Sequence, residues 1–227
     1  MFENDPFSLD VRAGVLDDMK KFGIKKVIDD KMPRDLSDIS STLTKVKALR
    51  PDMLIISGHS KRAATAARQI KEMQIQVPII AMTHCEAAKV ISKFGSATEG
   101  FLCPTQWAET LSYSDSLFGA ASTYDLLFKG SFEGYKNVPY QSAQASAAVM
   151  VWKDAFERAN SFDTEKVRDA ISSTNMSTFY GNIKFSSAGN NIAKPMVLRQ
   201  IQNGKLNVVA PSKWASHPAS YPRSVKY

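Results

Sequence analysis

The sequence predicts an α/β fold, a parallel sheet with helices packed on both faces. Three observations lead there. The first hundred residues alternate helix-period segments with short apolar runs. The connections between them are short, as in βα units. Two of the apolar runs, Met53–Ser57 and Pro78–Met82, each end in a polar turn that opens a helix. Neighbouring parallel strands require such crossovers, and right-handed crossovers place helices on both faces.

The elements follow in order. MFENDPF reads as the tail of a strand running into a loop. Ser8 is expected to cap a helix to Phe22, with Leu9, Ala13, Leu16 and Met19 at helical spacing and Gly23 as the stop. Lys25–Asp29 reads as a short strand. Leu36–Leu49 reads as a helix with Leu36, Ile39, Leu43, Val46 and Leu49 on one face, halted at Arg50-Pro51. Strand Met53–Ser57 turns at Gly58-His59-Ser60 into a helix to Ile70. Strand Pro78–Met82 turns at Thr83-His84-Cys85 into a helix from Glu86 to Phe94. Glu99–Cys103 is a further strand, ended by Pro104.

Beyond Pro104 the alternation stops. Glu109–Ser116 is polar, Leu117–Lys129 is expected to be helical, and Gly130–Pro139 is a loop rich in glycine and aromatics. Tyr140–Asn160 reads as a long helix, and Asp163 caps a shorter one to about Ser172. Phe179–Phe185 reads as a strand. Met196–Gln202 and Lys205–Ala210 pair as a hairpin around Asn203-Gly204, the dipeptide of a type I′ turn. The tail, Pro211–Tyr227, is expected to lie over the surface. The apolar faces between Tyr113 and Thr174 have no obvious partner sheet and are expected to be exposed.

A hydrophobic content of 44% over 227 residues allows a sizeable core. The net charge of +7 comes from scattered Lys and Arg, with no run of five like charges, so a solvated basic surface is expected and no nucleic-acid partner. No run of about 18 apolar residues is present, so no membrane span is expected, and no basic-then-apolar leader opens the sequence. Cys85 and Cys103 fall in separate βα units. Two buried free thiols are the default reading, and a disulfide stays open in an oxidising compartment.

Ligands of open α/β sheets bind at the carboxyl ends of the strands, where turn side chains and helix N-termini converge. His59 and His84 occupy equivalent places on successive strand ends, and Phe7 is expected on the same edge. That edge offers an aromatic wall, two imidazoles and helix N-termini at Ser8, Ser60 and Cys85, which suits a small polar ligand with an apolar part. Catalysis is not expected: Gly-x-Ser-x-Gly, the P-loop and Gly-x-Gly-x-x-Gly are all absent. Metal binding by His59 and His84 would need a third ligand such as Glu86 or Asp5, and hydrogen bonding of each imidazole within a polar cleft is preferred. No metal and no cofactor are expected.

Six segments carry a resemblance: ENDPFSLDVRAGV, RPDMLIISGHSKRAATAARQI, TEGFLCPTQW, TEKVRDAISST, FYGNIKF and KPMVLRQIQNGKL. In this order the sequence resembles the amino-acid-binding branch of the type I periplasmic binding proteins, the solute receptors of ABC importers that include the leucine/isoleucine/valine receptor. The resemblance implies flavodoxin-like lobes joined by crossover strands and a ligand held between them by hinge closure. It implies a periplasmic location and a membrane permease as partner. Residues 1–104 with 194–227 then correspond to the second lobe, and 105–193 to the returning part of an incomplete first lobe. Phe7 and His59 match positions that line the cleft in relatives, often aromatic. His84 stands where the leucine receptor has an acidic residue for the ligand's ammonium, which implies a ligand without one, such as a carboxylate, amide or aromatic acid. Ser146 lies near a position often held by tyrosine. Pro104, Gln106 and Trp107 fall at the hinge. A ligand-sensing regulator of the same fold, or a non-binding remnant, is the alternative.

Overall fold

The computed structural model describes residues 1–34, 37–223 and 225. Its elements in chain order are β1 (Phe2–Glu3), α1 (Pro6–Lys21), β2 (Lys31–Met32), α2 (Ser40–Leu49), β3 (Met53–Ile56), α3 (Ser60–Glu72), β4 (Ile79–Met82), α4 (Ala88–Phe94) and β5 (Leu102–Thr105). There follow β6 (Ser114–Asp115), β7 (Gly119–Ala120), α5 (Ala121–Ser131), α6 (Tyr140–Ala159), α7 (Thr164–Ser172), β8 (Asn175–Thr178), β9 (Gly181–Lys184), β10 (Val197–Gln202) and β11 (Lys205–Ala210). The chain divides into two units, Met1–Pro104 with Leu198–Tyr227, and Thr105–Val197.

The first unit is built on a five-stranded sheet in the order β11-β10-β5-β4-β3. β3, β4 and β5 run parallel, with Met53 level with Ile79 and Ile56 level with Met82. β10 and β11 form an antiparallel hairpin. Its two turn residues, Asn203 and Gly204, both have positive φ, as a type I′ turn demands. Leu54, Ile56, Ile80 and Met82 of the strands are buried with Leu43 and Val46 of α2 and Ala63, Ala66, Ala67 and Ile70 of α3. The alanine stripe of α3 lets helix and sheet approach closely. Each fully buried Leu or Ile contributes about 1.5–3 kcal/mol.

Several boundaries differ from the sequence expectation. Asp5, not Ser8, caps α1: its carboxylate accepts from the Ser8 amide at 3.1 Å, and Pro6 takes the first helical position, where its missing N–H costs nothing. α2 begins at Ser40, whose amide donates to Asp38. Leu36 falls outside the described residues, as do the last two residues of the tail. Lys25–Asp29 forms no strand; β2 lies just beyond it, where Phe2–Glu3 supplies a parallel partner. A strand exists only where something pairs with it. α4 starts at Ala88 rather than Glu86. Pro104 does not end its strand but lies inside β5. Cys85 and Cys103 are disulfide-bonded, with Cα atoms 5.5 Å apart, because β4 and β5 are neighbours in the sheet.

The second unit contains helices and two short hairpins. Trp107, Phe118, Tyr124 and Phe179 form its aromatic centre, with the Tyr124 and Phe179 rings stacked at 3.9 Å. The segment expected to be one strand from Phe179 is instead the turn and second arm of the β8–β9 hairpin: the Thr178 hydroxyl donates to the Gly181 carbonyl and accepts from the Tyr180 amide, closing the turn. The helix expected from Leu117 starts at Ala121. Asp115 accepts from the Leu117 and Phe118 amides and holds those residues in a side-chain-closed turn. α6 and α7 pack through Ala155, Val167 and Ala170. Leu126, Val149, Trp152 and Phe162 are exposed, Phe162 at 91%.

Candidate functional site

The candidate site lies in the first unit, at the carboxyl ends of β3 and β4. β3 leads through Gly58 to His59, which caps α3 from an extended conformation. β4 leads to His84, which has φ +58, a left-handed conformation costly for a side chain with a Cβ. Two hydrogen bonds fasten the turns together. The Gly58 amide donates to the Thr83 hydroxyl at 2.9 Å, and that hydroxyl donates back to the Gly58 carbonyl at 2.7 Å. The His59 amide donates to the buried Glu3 carboxylate at 3.1 Å.

Gly58 is required by space. A Cβ there would lie 2.7 Å from Arg62 Cγ and 2.7 Å from Glu3 Oε2. Gly58→Ala is therefore expected to cost about 1–3 kcal/mol through overpacking and to loosen the His59 turn. Urea denaturation measures the first effect, and broadening of the His59 ring resonances in NMR the second.

Three rings converge at this edge. Phe7, on the first turn of α1, has its centroid 5.6 Å from that of His59 and 5.9 Å from that of His84. The two imidazoles stack at 5.9 Å. Phe7 is 41% exposed and the His59 side chain 51% exposed, so the trio is open on one side. Ser60, the first residue of α3, is also exposed there. Ser8 and Cys85 do not join them. Both are fully buried, Ser8 facing inward in the first turn of α1 and Cys85 in the disulfide, and Cys85 precedes rather than opens α4. The cluster of Cys85, Glu86 and Cys103 has its sulfurs spent on each other.

The electrostatics follow from burial. Burial pushes the His84 pKa below the ordinary imidazole value, nearby His59 adds to that, and Glu86 opposes it, so His84 is neutral at pH 7. Burial raises the Asp5 carboxyl, but the donors of Ser8, with His59 and Arg34, outweigh it and hold it below the usual range. Asp5 lies 3.5 Å from His59 Nε2. Glu86 is paired with Arg199 at 4.0 Å, with side chains only 12% and 8% exposed. The acids near the site are thus buried, Asp5 Oδ2 and Glu86 Oε2 without a hydrogen bond, and its open lining is aromatic and imidazole. Sequence reasoning missed Asp5 as the cap, Glu3, Thr83 and the Arg199 pairing. The Asp-Pro step at the helix start was the visible signal for the first; the others depend on strand adjacency.

The hinge candidates are placed as follows. Pro104 lies in β5. The Gln106 side chain accepts from Tyr180 Oη at 2.7 Å, and its carbonyl accepts from Lys194. Trp107 is fully buried and donates through Nε1 to the Phe179 carbonyl at 3.2 Å. Ser146 Oγ bonds the Tyr124 hydroxyl at 2.9 Å.

A family model described as periplasmic binding protein matches residues 1–205. The chain belongs to the periplasmic binding protein family. Among solved structures it is similar to the leucine binding protein LivK from Thermotoga maritima, with a TM-score of 0.79 and 24% identity over 91% of this chain and 57% of that one. It is also similar to LivJ from Streptococcus pneumoniae, solved with isoleucine, with a TM-score of 0.73 and 15% identity over 91% of this chain and 57% of that one. A solute binding protein from R. palustris, solved with benzoate, gives 0.74 and 16% over 96% of this chain and 57% of that one. These likenesses show the fold. This periplasmic binding protein chain therefore spans 57% of the length of each of these three structures. No helix among its described residues is long and apolar enough to cross a membrane.

Proposed function

We propose that this chain supplies one wall of the ligand cleft of an ABC importer's solute-binding protein. In that reading Met1–Pro104 with the last thirty residues belongs to one lobe, Thr105–Val197 to the other, and Pro104, Gln106 and Trp107 mark the hinge between them. Ligand contacts both lobes and favours the closed state, which a membrane permease on the periplasmic face recognises. No covalent step is needed. The convergence of Phe7, His59 and His84 on one open edge carries the proposal.

The ligand class is an aromatic or other organic carboxylate. A ring packs against Phe7 and an imidazole face, and the carboxylate accepts from an imidazole N–H. An amino acid's ammonium would need an accessible acid at this edge, and the side chains of Asp5 and Glu86 are only 1% and 12% exposed. Benzoate and isoleucine are the discriminating probes. Benzoate at millimolar concentration is expected to shift the His59 and His84 ring signals in NMR, and Phe7→Ala to abolish the shift.

Binding should tighten as pH falls through the His84 pKa, which burial holds below the ordinary imidazole value. His84 is neutral above that pKa and charged below it, and a hydrogen bond from a charged donor exceeds a neutral one by about 1.4 kcal/mol, about tenfold in affinity once the ring is protonated. Binding of isoleucine but not benzoate would overturn the ligand class and leave the cleft standing. A silent site toward both, in a folded protein, would remove the cleft as well.

A further inference from the structure

The turn between β10 and β11 combines a labile dipeptide with a specific hold on its backbone. Asn203 is the one asparagine of the sequence followed directly by glycine. Asparagine is a thermolabile residue, and most so at such a step. With no side chain on the next residue, the next backbone nitrogen can reach the asparagine's own amide carbon. Asn203 and Gly204 are both exposed at the tip of the hairpin, within reach of water.

That tip is clamped from the side. Glu99, a few residues ahead of β5, meets it with both carboxylate oxygens. Oε1 accepts from the Asn203 amide at 2.6 Å, and Oε2 accepts from the Gly204 amide at 3.2 Å. The backbone of Glu99 is itself held, its carbonyl accepting from Arg223 Nε at 3.2 Å. Next to this clamp the two segments begin to pair. The Gly100 amide donates to the Ile201 carbonyl at 2.8 Å, and the Ile201 amide donates to the Phe101 carbonyl at 3.0 Å. The nitrogen that would attack the Asn203 side chain is therefore the one whose proton a carboxylate holds. Removing that proton would set one negative charge against another, and the bond must break before the nitrogen can turn.

We propose that Asn203 is the isoaspartate-forming site of this chain, that Glu99 sets its rate by holding the Gly204 amide, and that conversion unfastens the hairpin from the start of β5. The step consumes only water. In a locally opened turn the Gly204 nitrogen gives its proton to hydroxide and attacks Asn203 Cγ. The new C–N bond forms as Cγ–Nδ2 breaks, and Nδ2 leaves as ammonia with a proton from water. Water then opens the five-membered imide at one of its two carbonyls. One opening gives aspartate. The other gives isoaspartate, in which the main chain runs through Cβ and Cγ. That product adds a backbone carbon to a loop of two residues, so its two amides no longer meet one carboxylate.

The experiment follows conversion under mildly alkaline conditions in the folded chain, in Glu99→Ala and in a synthetic peptide of residues 199–208. Peptide mapping by mass spectrometry locates the change from amide to acid, and isoaspartyl methyltransferase labelling counts isoaspartate. The folded chain is expected to convert at Asn203 ahead of every other asparagine, and about tenfold more slowly than the peptide, since only the opened turn reacts. Glu99→Ala should come within about twofold of the peptide. Hydrogen exchange at the Gly204 amide needs no variant: it should be slow in the intact chain, and exchange at Gly100 and Ile201 should quicken once Asn203 has converted. The proposal is overturned if another asparagine converts first, if the folded chain matches the peptide, or if Glu99→Ala matches the parent. Fast exchange at Gly204 in the intact chain, or unchanged exchange at Gly100 and Ile201 after conversion, overturns it as well.

Discussion

Trp107→Ala is expected to destabilise the second unit by about 3–5 kcal/mol, the range for removing a fully buried aromatic. The indole is the largest fully buried side chain among the described residues, and it meets both Tyr124 and Phe179 edge-on, at 5.9 and 6.3 Å. The loss also strips the Phe179 carbonyl of its Nε1–H donor. Trp107→Phe separates the two contributions. It keeps most of the ring but still leaves that carbonyl unpaired, at a cost of about 1–3 kcal/mol. Urea denaturation followed by near-UV circular dichroism reads both. If alanine cost no more than phenylalanine, packing around the indole would be too loose to hold the unit together.

The second large effect is expected from the disulfide. Replacing Cys85 and Cys103 together by serine should cost about 3 kcal/mol, the loop-closure value for a separation of 18 residues. For a protein of this size that is a fall in Tm of about 6–12 °C. The bond fastens the turn that carries His84 to β5, so the effect should reach the site. His84 holds a left-handed backbone that its surroundings must enforce. The double variant should broaden the His84 ring signals and leave Trp107 fluorescence unchanged. An unaltered Tm would mean that the bond constrains nothing the fold does not already fix.

Much of the βα region was legible in the sequence. Met53–Ile56 and Ile79–Met82 are apolar runs flanked by turn residues, and adjacent parallel strands must place His59 and His84 side by side. Phe7 follows from the helix that Asp5-Pro6 opens. What failed depends on partners that local pattern does not name. Lys25–Asp29 has strand composition but no neighbour to pair with. Ser8 looked like a cap because serine caps well, but Asp5 precedes it at the position that reaches the Ser8 amide. The Cys85–Cys103 pairing needed β4 and β5 to be neighbours, which the spacing alone leaves open. Asp115 shortened a helix through side-chain bonds to two amides, a competition between turn and helix that periodicity does not register.

The five-stranded sheet is assembled from two stretches of sequence with about ninety residues between them. On the ribosome, at roughly 5–20 residues per second, β10 and β11 emerge about 5–20 s after β5. Throughout that interval β5 is a bare parallel edge, the kind that recruits strands from other chains. Arg223 closes the same border last of all: its amide bonds the Pro78 carbonyl and its guanidinium bonds the Glu99 and Ala97 carbonyls while lying over Phe101. A chain cut before β10 would therefore keep β5 as an open edge, ready to pair with a strand of another chain.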